Sequence, residues 1–148
     1  MVQLAQFNIA RMKFASEGPE MQDFNDALDP VNATADLSPG FIWRMVSDEN
    51  PSEALREFEQ SGWLVNMSVW QSLAHLKTFV SSSLHLSIMR RRNEWFESSG
   101  EATMALWWVK DGHRPGFEEA MERLAHLRTH GPSSYAFSFS NPFNSPEA

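Results

Sequence analysis

The sequence predicts an α+β domain built on an antiparallel sheet, and three observations carry that prediction. Stretches of period two and stretches of period 3.6 follow one another as strand, helix, strand, strand, helix, strand. The sharpest change of period falls at Trp70, where an alternating run from Trp63 gives way to apolar steps of three and four. Turn-forming clusters at Gly18-Pro19, Ser38-Pro39-Gly40, Ser98-Ser99-Gly100 and Gly131-Pro132 mark the joints. This order is the split β-α-β arrangement, a ferredoxin-like fold with an antiparallel sheet and helices on one side.

Taken in order, Val2 to Met12 alternates as the first strand, which sets Asn8 in the middle of a central strand. An amide there needs a hydrogen-bond partner, supplied by the backbone, by water or by a ligand. Pro19 suits the start of a helix whose stripe is Met21, Phe24, Leu28 and Val31; at Pro30 that helix either kinks or gives way to a second one capped by Asp29. Phe41 to Ser47 is the second strand, with Arg44 on the same side as Ile42 and Trp43 on the other. Asp48 to Gly62 turns acidic and polar, and fits a short helix through Leu55 and Phe58 or a surface lid equally well.

The third strand, Trp63 to Trp70, has one apolar face and one face that reads Leu64, Asn66, Ser68, Trp70. Small polar groups among large hydrophobes suit a ligand cavity, where a few hydrogen bonds orient what the apolar walls enclose. A partly solvated or subunit-contacting face would read the same way. Leu73, Leu76, Val80, Leu84 and Ile88 then form a helical stripe, with a candidate break at Ser81-Ser82-Ser83. Unbroken, the helix carries Arg91 to the edge of the core, where the guanidinium must meet a carboxylate or a bound anion. Broken, it leaves Arg90, Arg91 and Arg92 as a solvated basic end.

Thr103 to Lys110 is the fourth strand, and adjacent Trp107 and Trp108 point to opposite faces. Both faces must therefore be covered. With helices on one side only, a second copy of the chain is the simplest cover for the other. Phe117, Ala120, Met121, Leu124 and Leu127 mark a last helix, and Ala136 to Ser140 is a candidate edge strand. Residues 1–140 thus form one domain, with a loose tail over 141–148.

Length and composition narrow the function. A chain of 148 residues, 42% of them hydrophobic, can bury a substantial core as one domain. The absence of cysteine removes disulfide and thiolate chemistry. A formal charge of −7 argues against nucleic acid as partner, because phosphate binding needs a basic surface. No run approaches membrane-spanning length and the first residues read as a strand, so a cytoplasmic protein is expected. The five histidines lack the pairing of a zinc site; His126 and His130 share a helix side but sit near its end. Phosphate loops, dinucleotide fingerprints and nucleophile elbows are absent.

The run SVWQSLAHLKTFVSSSLHLSIM, with Trp70 closing the third strand and His85 on the following helical segment, resembles the signature of the dimeric α/β-barrel superfamily. That superfamily includes antibiotic-biosynthesis monooxygenases, haem-degrading monooxygenases and polyketide cyclases. More closely, QFNIAR, DPVNATAD, GFIWR, NMSVW, RRRNEWF, LWWV and GHRP, in this order, resemble a bacterial domain-of-unknown-function family placed in it. In the haem-degrading branch an Asn on the first strand, a Trp on the helix after the third and a nearby His serve the haem. By position this chain offers Asn8 and His85, with Phe79 where the Trp would fall.

The resemblance implies a small tailoring enzyme, a homodimer whose protomers each enclose a hydrophobic pocket for an aromatic or polycyclic metabolite. It would work without metal or cofactor, as a cofactor-independent monooxygenase or as a cyclase or isomerase. His85 is then the candidate base, Asn8, Asn66, Arg44 and Arg91 the polar contacts, and Trp43, Trp70 and Phe79 the ring-stacking walls. The rival from another class is a non-catalytic module that holds a hydrophobic ligand or haem. A third reading is a structural dimer whose polar strand positions face the partner.

Overall fold

The computed structural model describes residues 1–146. Four strands, β1 (Val2–Arg11), β2 (Phe41–Arg44), β3 (Trp63–Trp70) and β4 (Met104–Lys110), form one antiparallel sheet in the order β2-β3-β1-β4. Six helices accompany them: α1 (Gln22–Asp36), α2 (Glu53–Gln60), α3 (Leu73–Val80), α4 (Ser83–Arg90), α5 (Arg92–Trp95) and α6 (Phe117–His130). The fold is α+β and ferredoxin-like, as the element order predicts.

Several elements depart from expectation for local reasons. β2 stops at Arg44, after a bulge between Phe41 and Trp43, and Ser47–Glu49 turns as a short 3-10 helix. α1 passes through Pro30 as a single helix of 15 residues. The helix after β3 is three helices: Ser72 and Ser82 cap α3 and α4, their hydroxyl oxygens accepting from the backbone N–H of His75 and His85, and α5 follows at Arg91 without a side-chain cap. The acidic stretch before β3 contains α2, likewise capped by Ser52.

The larger correction concerns the sheet faces. α1, α3, α4 and α5 lie on one face; α2 and α6 cover the other, burying Phe7, Met67 and Trp107 against Leu55, Phe117 and Leu124. Trp107 is fully buried and donates its indole N–H to Glu119 of α6 at 3.0 Å. Trp108, on the opposite face, packs on Phe137 and donates to the Phe143 carbonyl at 3.0 Å. α6 thus covers Trp107 and the C-terminal segment covers Trp108 in part, so the opposed directions of the two rings do not by themselves require a second copy. That segment is docked rather than loose: Phe137 exchanges both backbone hydrogen bonds with Leu106 on the outer edge of β4, and the Phe143 ring lies 6.0 Å from that of Phe137. Residues 147–148 of the expected tail lie outside the described residues.

Candidate functional site

The strand register decides which predicted residues can meet. Ser68 pairs with Gln6 on one side and with Arg44 on the other, while Asn66 pairs directly with Asn8. Arg44, Ser68, Gln6, Asn66 and Asn8 therefore share the face that carries α3 and α4, as does Trp70. Trp43 does not. It pairs with Val69 on the opposite face and packs in the core beneath α2 and α6, so it cannot stack on the same ligand as Trp70.

On the site face two apolar clusters flank these polar rows. One holds Leu4, Trp70, Leu76 and Leu106 with Phe79 against them; the other holds Met21, Phe24 and Trp95 with Leu64 and Ile88. Along β3 and β1 the rows Ser68–Gln6 and Asn66–Asn8 lie between them. α4 has no buried residue and runs from His85, which touches the first cluster through Phe79, to Ile88 in the second. α4 packs on α1, α3 and α5, and the sheet rows between the two clusters form a polar strip on which Asn66 is exposed and Asn8 half-buried. Beneath α3, where the sequence suggests an enclosed apolar chamber, Trp70 and Leu76 fill the space and Phe79 stacks on Trp70 at 5.2 Å. Of the polar strip only Asn66 and Asn8 are open to solvent to that extent, while Ser68 and Gln6 are buried.

The strip has a defined wall. Trp70 donates its indole N–H to Ser68 Oγ at 2.9 Å, and Ser68 in turn donates to Gln6 Oε1 at 2.9 Å. The Phe79 ring continues the wall from Trp70 to His85, whose ring centroid lies 5.3 Å from it. His85 Nδ1 is 3.0 Å from the Val80 carbonyl, which can only accept, so the proton sits on Nδ1 and Nε2 keeps its lone pair. No described residue hydrogen-bonds Nε2. Burial lowers the His85 pKa below its ordinary value, against a smaller opposing effect of the Val80 hydrogen bond. A neutral imidazole with a free Nε2 beside an aromatic wall is equipped to take a proton from carbon or oxygen.

The remaining predicted contacts are already occupied. Arg44 is held by Asp36, with Nε 2.9 Å from the carboxylate. The Arg91 guanidinium bonds both Asp23 and Glu94 and lies over Trp95 at 4.8 Å, tying α5 to α1. It meets carboxylates, as an edge-of-core arginine must, so its charge is spent on the fold rather than offered to a ligand. Sequence reasoning missed Gln6 and the bonding role of Ser68. The signal lies in the register, since a Gln on β1 pairs with a Ser already on the polar face, but pairing is not readable from one strand alone.

Two open clefts lie elsewhere. One of about 410 Å³ is lined by Trp43, Pro51, Ser52, Arg114 and Phe117. The other, of about 530 Å³, is lined by Gln3, Ile42, Gln71, Ser72, His75 and Asp111. Of the predicted residues only Trp43 touches either. Among the described residues no group of His, Asp and Glu could hold a metal ion, and no helix is long and apolar enough to cross a membrane.

A domain of unknown function, DUF3291, matches residues 3–148. The chain belongs to the DUF3291 family. No curated protein sequence matches it. Solved structures do. A protein named as a candidate antibiotic biosynthesis monooxygenase from Nitrosomonas europaea is 10% identical with a TM-score of 0.53, over 77% of this chain and 94% of that one. A conserved protein from Methanosarcina mazei Go1 is 15% identical with a TM-score of 0.52, over 74% and 93%. SnoaB from Streptomyces nogalater, a cofactor-independent oxygenase, is 13% identical with a TM-score of 0.48, over 79% and 98%. At these identities the first two likenesses establish the fold shared by this DUF3291 protein.

Proposed function

We propose that this DUF3291 protein is a small tailoring enzyme that removes a proton from an aromatic or polycyclic ketone, with His85 as the base. The observation that carries the proposal is the state of His85: Nδ1–H anchored on Val80, Nε2 free, and the ring set against the Phe79–Trp70 wall. Planar ligands gain from such a wall through stacking, and Asn8 and Asn66 supply polar contacts on the strip below. In the oxygenase form of the reaction no cofactor is required. His85 Nε2 takes the proton, the resulting carbanion gives its electrons to dioxygen, and the peroxide anion recovers the proton. The hydroperoxide then loses water to leave a new carbonyl, so that one ketone and one O2 yield one quinone and one H2O. The candidate monooxygenase with the same fold favours this form over cyclisation or isomerisation, which would use the same proton transfer without oxygen.

Oxygen consumption with anthrone as probe tests the proposal, with ring formation and isomerisation followed in parallel. Turnover lost in His85→Gln, with anthrone still bound, supports the base role. Equal turnover by that variant, or binding of the probe with no reaction of any kind, would overturn it in favour of a binding module. A visible absorption band after haem reconstitution, lost in the same variant, would mark a haem protein instead.

A further inference from the structure

Gln6 is one of only two buried polar residues among those described. It is 7% exposed, on the central strand, and its carbonyl oxygen is committed: Trp70 N–H donates to Ser68, and Ser68 O–H donates to Gln6 Oε1. This relay fixes which way the amide faces. Its other end, Nε2, has no hydrogen bond to any described residue, nor does it belong to the buried side-chain atoms that lack both partner and solvent. The NH2 group therefore keeps contact with solvent on the sheet face that also carries Asn8 and Asn66. A buried amide whose oxygen is held by a two-step relay and whose NH2 has no protein acceptor is a preset donor for an oxygen that gains negative charge.

We propose that Gln6 Nε2 is the oxyanion donor of this site, and that the substrate is an enolisable aromatic ketone whose carbonyl oxygen seats against it. The inference rests on the function proposed above and adds the second half of its chemistry. When His85 removes the C–H proton, the electron pair moves through the conjugated ring into the carbonyl, and the oxygen becomes an enolate that accepts from Gln6. Gln6 would be a catalytic residue, touching the reacting oxygen; Ser68 and Trp70 act through it as positioning residues. The donor need not adjoin the base, because conjugation carries the charge across the ring.

Gln6→Glu separates this role from a structural one. It keeps an oxygen acceptor for Ser68 but puts oxygen in place of NH2, so a merely structural Gln6 predicts a loss of stability with kcat of the folded enzyme unchanged. The inference predicts a fall in kcat of about 100-fold on anthrone, with KM changed far less. A second readout uses alizarin, whose visible spectrum reports ionisation of its hydroxyl groups. Bound to the wild type it should ionise at lower pH than in free solution, and that displacement should vanish in Gln6→Glu and in Gln6→Met. Unimpaired kcat and an unchanged alizarin titration in Gln6→Glu would overturn the Gln6 assignment alone. A wild type that neither oxidises anthrone nor binds alizarin would overturn the site itself, and the inference with it.

Discussion

Replacing Ser68 by Ala should cost far more than loss of one hydroxyl on a strand normally does. Ser68 bridges two groups with no other partner: the Trp70 indole N–H, in a side chain 1% exposed, and the Gln6 amide oxygen, in one 7% exposed. Each buried group left unpaired costs roughly 1–3 kcal/mol. The amide can swing toward solvent and recover water, whereas the indole cannot move without disturbing Phe79 stacked on it. A loss of about 2–4 kcal/mol is therefore expected, weighted toward the indole. Urea denaturation at 25 °C, followed by tryptophan emission, reads it as a lower midpoint at unchanged slope. The same substitution in a Gln6→Leu background should cost about 1 kcal/mol less or better, because only the indole is then orphaned. Exposed Ser134 supplies the comparison, with an expected change within about 0.5 kcal/mol for Ser134→Ala. A loss below about 1 kcal/mol for Ser68→Ala would refute the relay, and with it the fixed facing of Gln6.

Three further outcomes follow from the geometry. Because burial lowers the His85 pKa, kcat/KM on anthrone should rise with pH along a limb lying below the ordinary histidine value of 6.5; a limb above 6.5 would remove His85 as the base. The unfolded chain protonates at the ordinary value while folded His85 resists, so the wild type should lose stability relative to His85→Gln as pH falls from about 6.5, until folded His85 is also protonated; urea midpoints across pH check the sign. Gly40 has φ +82° and a Cβ there would lie 2.2 Å from the His75 ring, whereas Gly112 has φ +83° with nothing within 4 Å. Gly40→Ala should thus cost at least about 1 kcal/mol more than Gly112→Ala in the same denaturation assay, and equal costs would show that His75 moves aside freely. Leu55 is the single buried residue of α2, and Leu55→Ala should cost about 2–5 kcal/mol, lowering the melting temperature by roughly 5–15 °C; a smaller drop would mean that α2 is not what holds the second face shut.

Much of the fold was legible because its signals are local. Period two from Trp63 to Trp70, the break at Ser81-Ser82-Ser83 and the turn at Ser38-Pro39-Gly40 each act within a few residues. What covers the second face was not legible. Trp107 announces that something must lie there, but whether α6 or another chain supplies it depends on how α6 returns across the sheet, which no local pattern encodes. The same limit explains the site. It was the family resemblance, not spacing, that set Asn8, Phe79 and His85 side by side; the register pairs Asn8 with Asn66 on the face of Trp70, and ring contacts run from Trp70 through Phe79 to His85. Trp43 escapes that reasoning because the bulge in β2 and the parity of the strand set it with Val69 on the other face. Arg91 reads as a ligand contact only while Asp23, its partner 68 positions away in sequence, is out of view; that pairing is visible only in three dimensions.

The docking of Phe137 on Leu106 bears on how the protein behaves when cut or fused. With that segment in place, β4 presents no free ladder at its midpoint, and the far margin is only the four residues of β2. Short or occupied margins discourage strand-to-strand polymerisation. A chain truncated after Gly131 would bare hydrogen-bonding groups along β4 together with the hydrophobic seat of Phe137. Its characteristic failure would be fibre-like lateral growth at high concentration rather than simple melting.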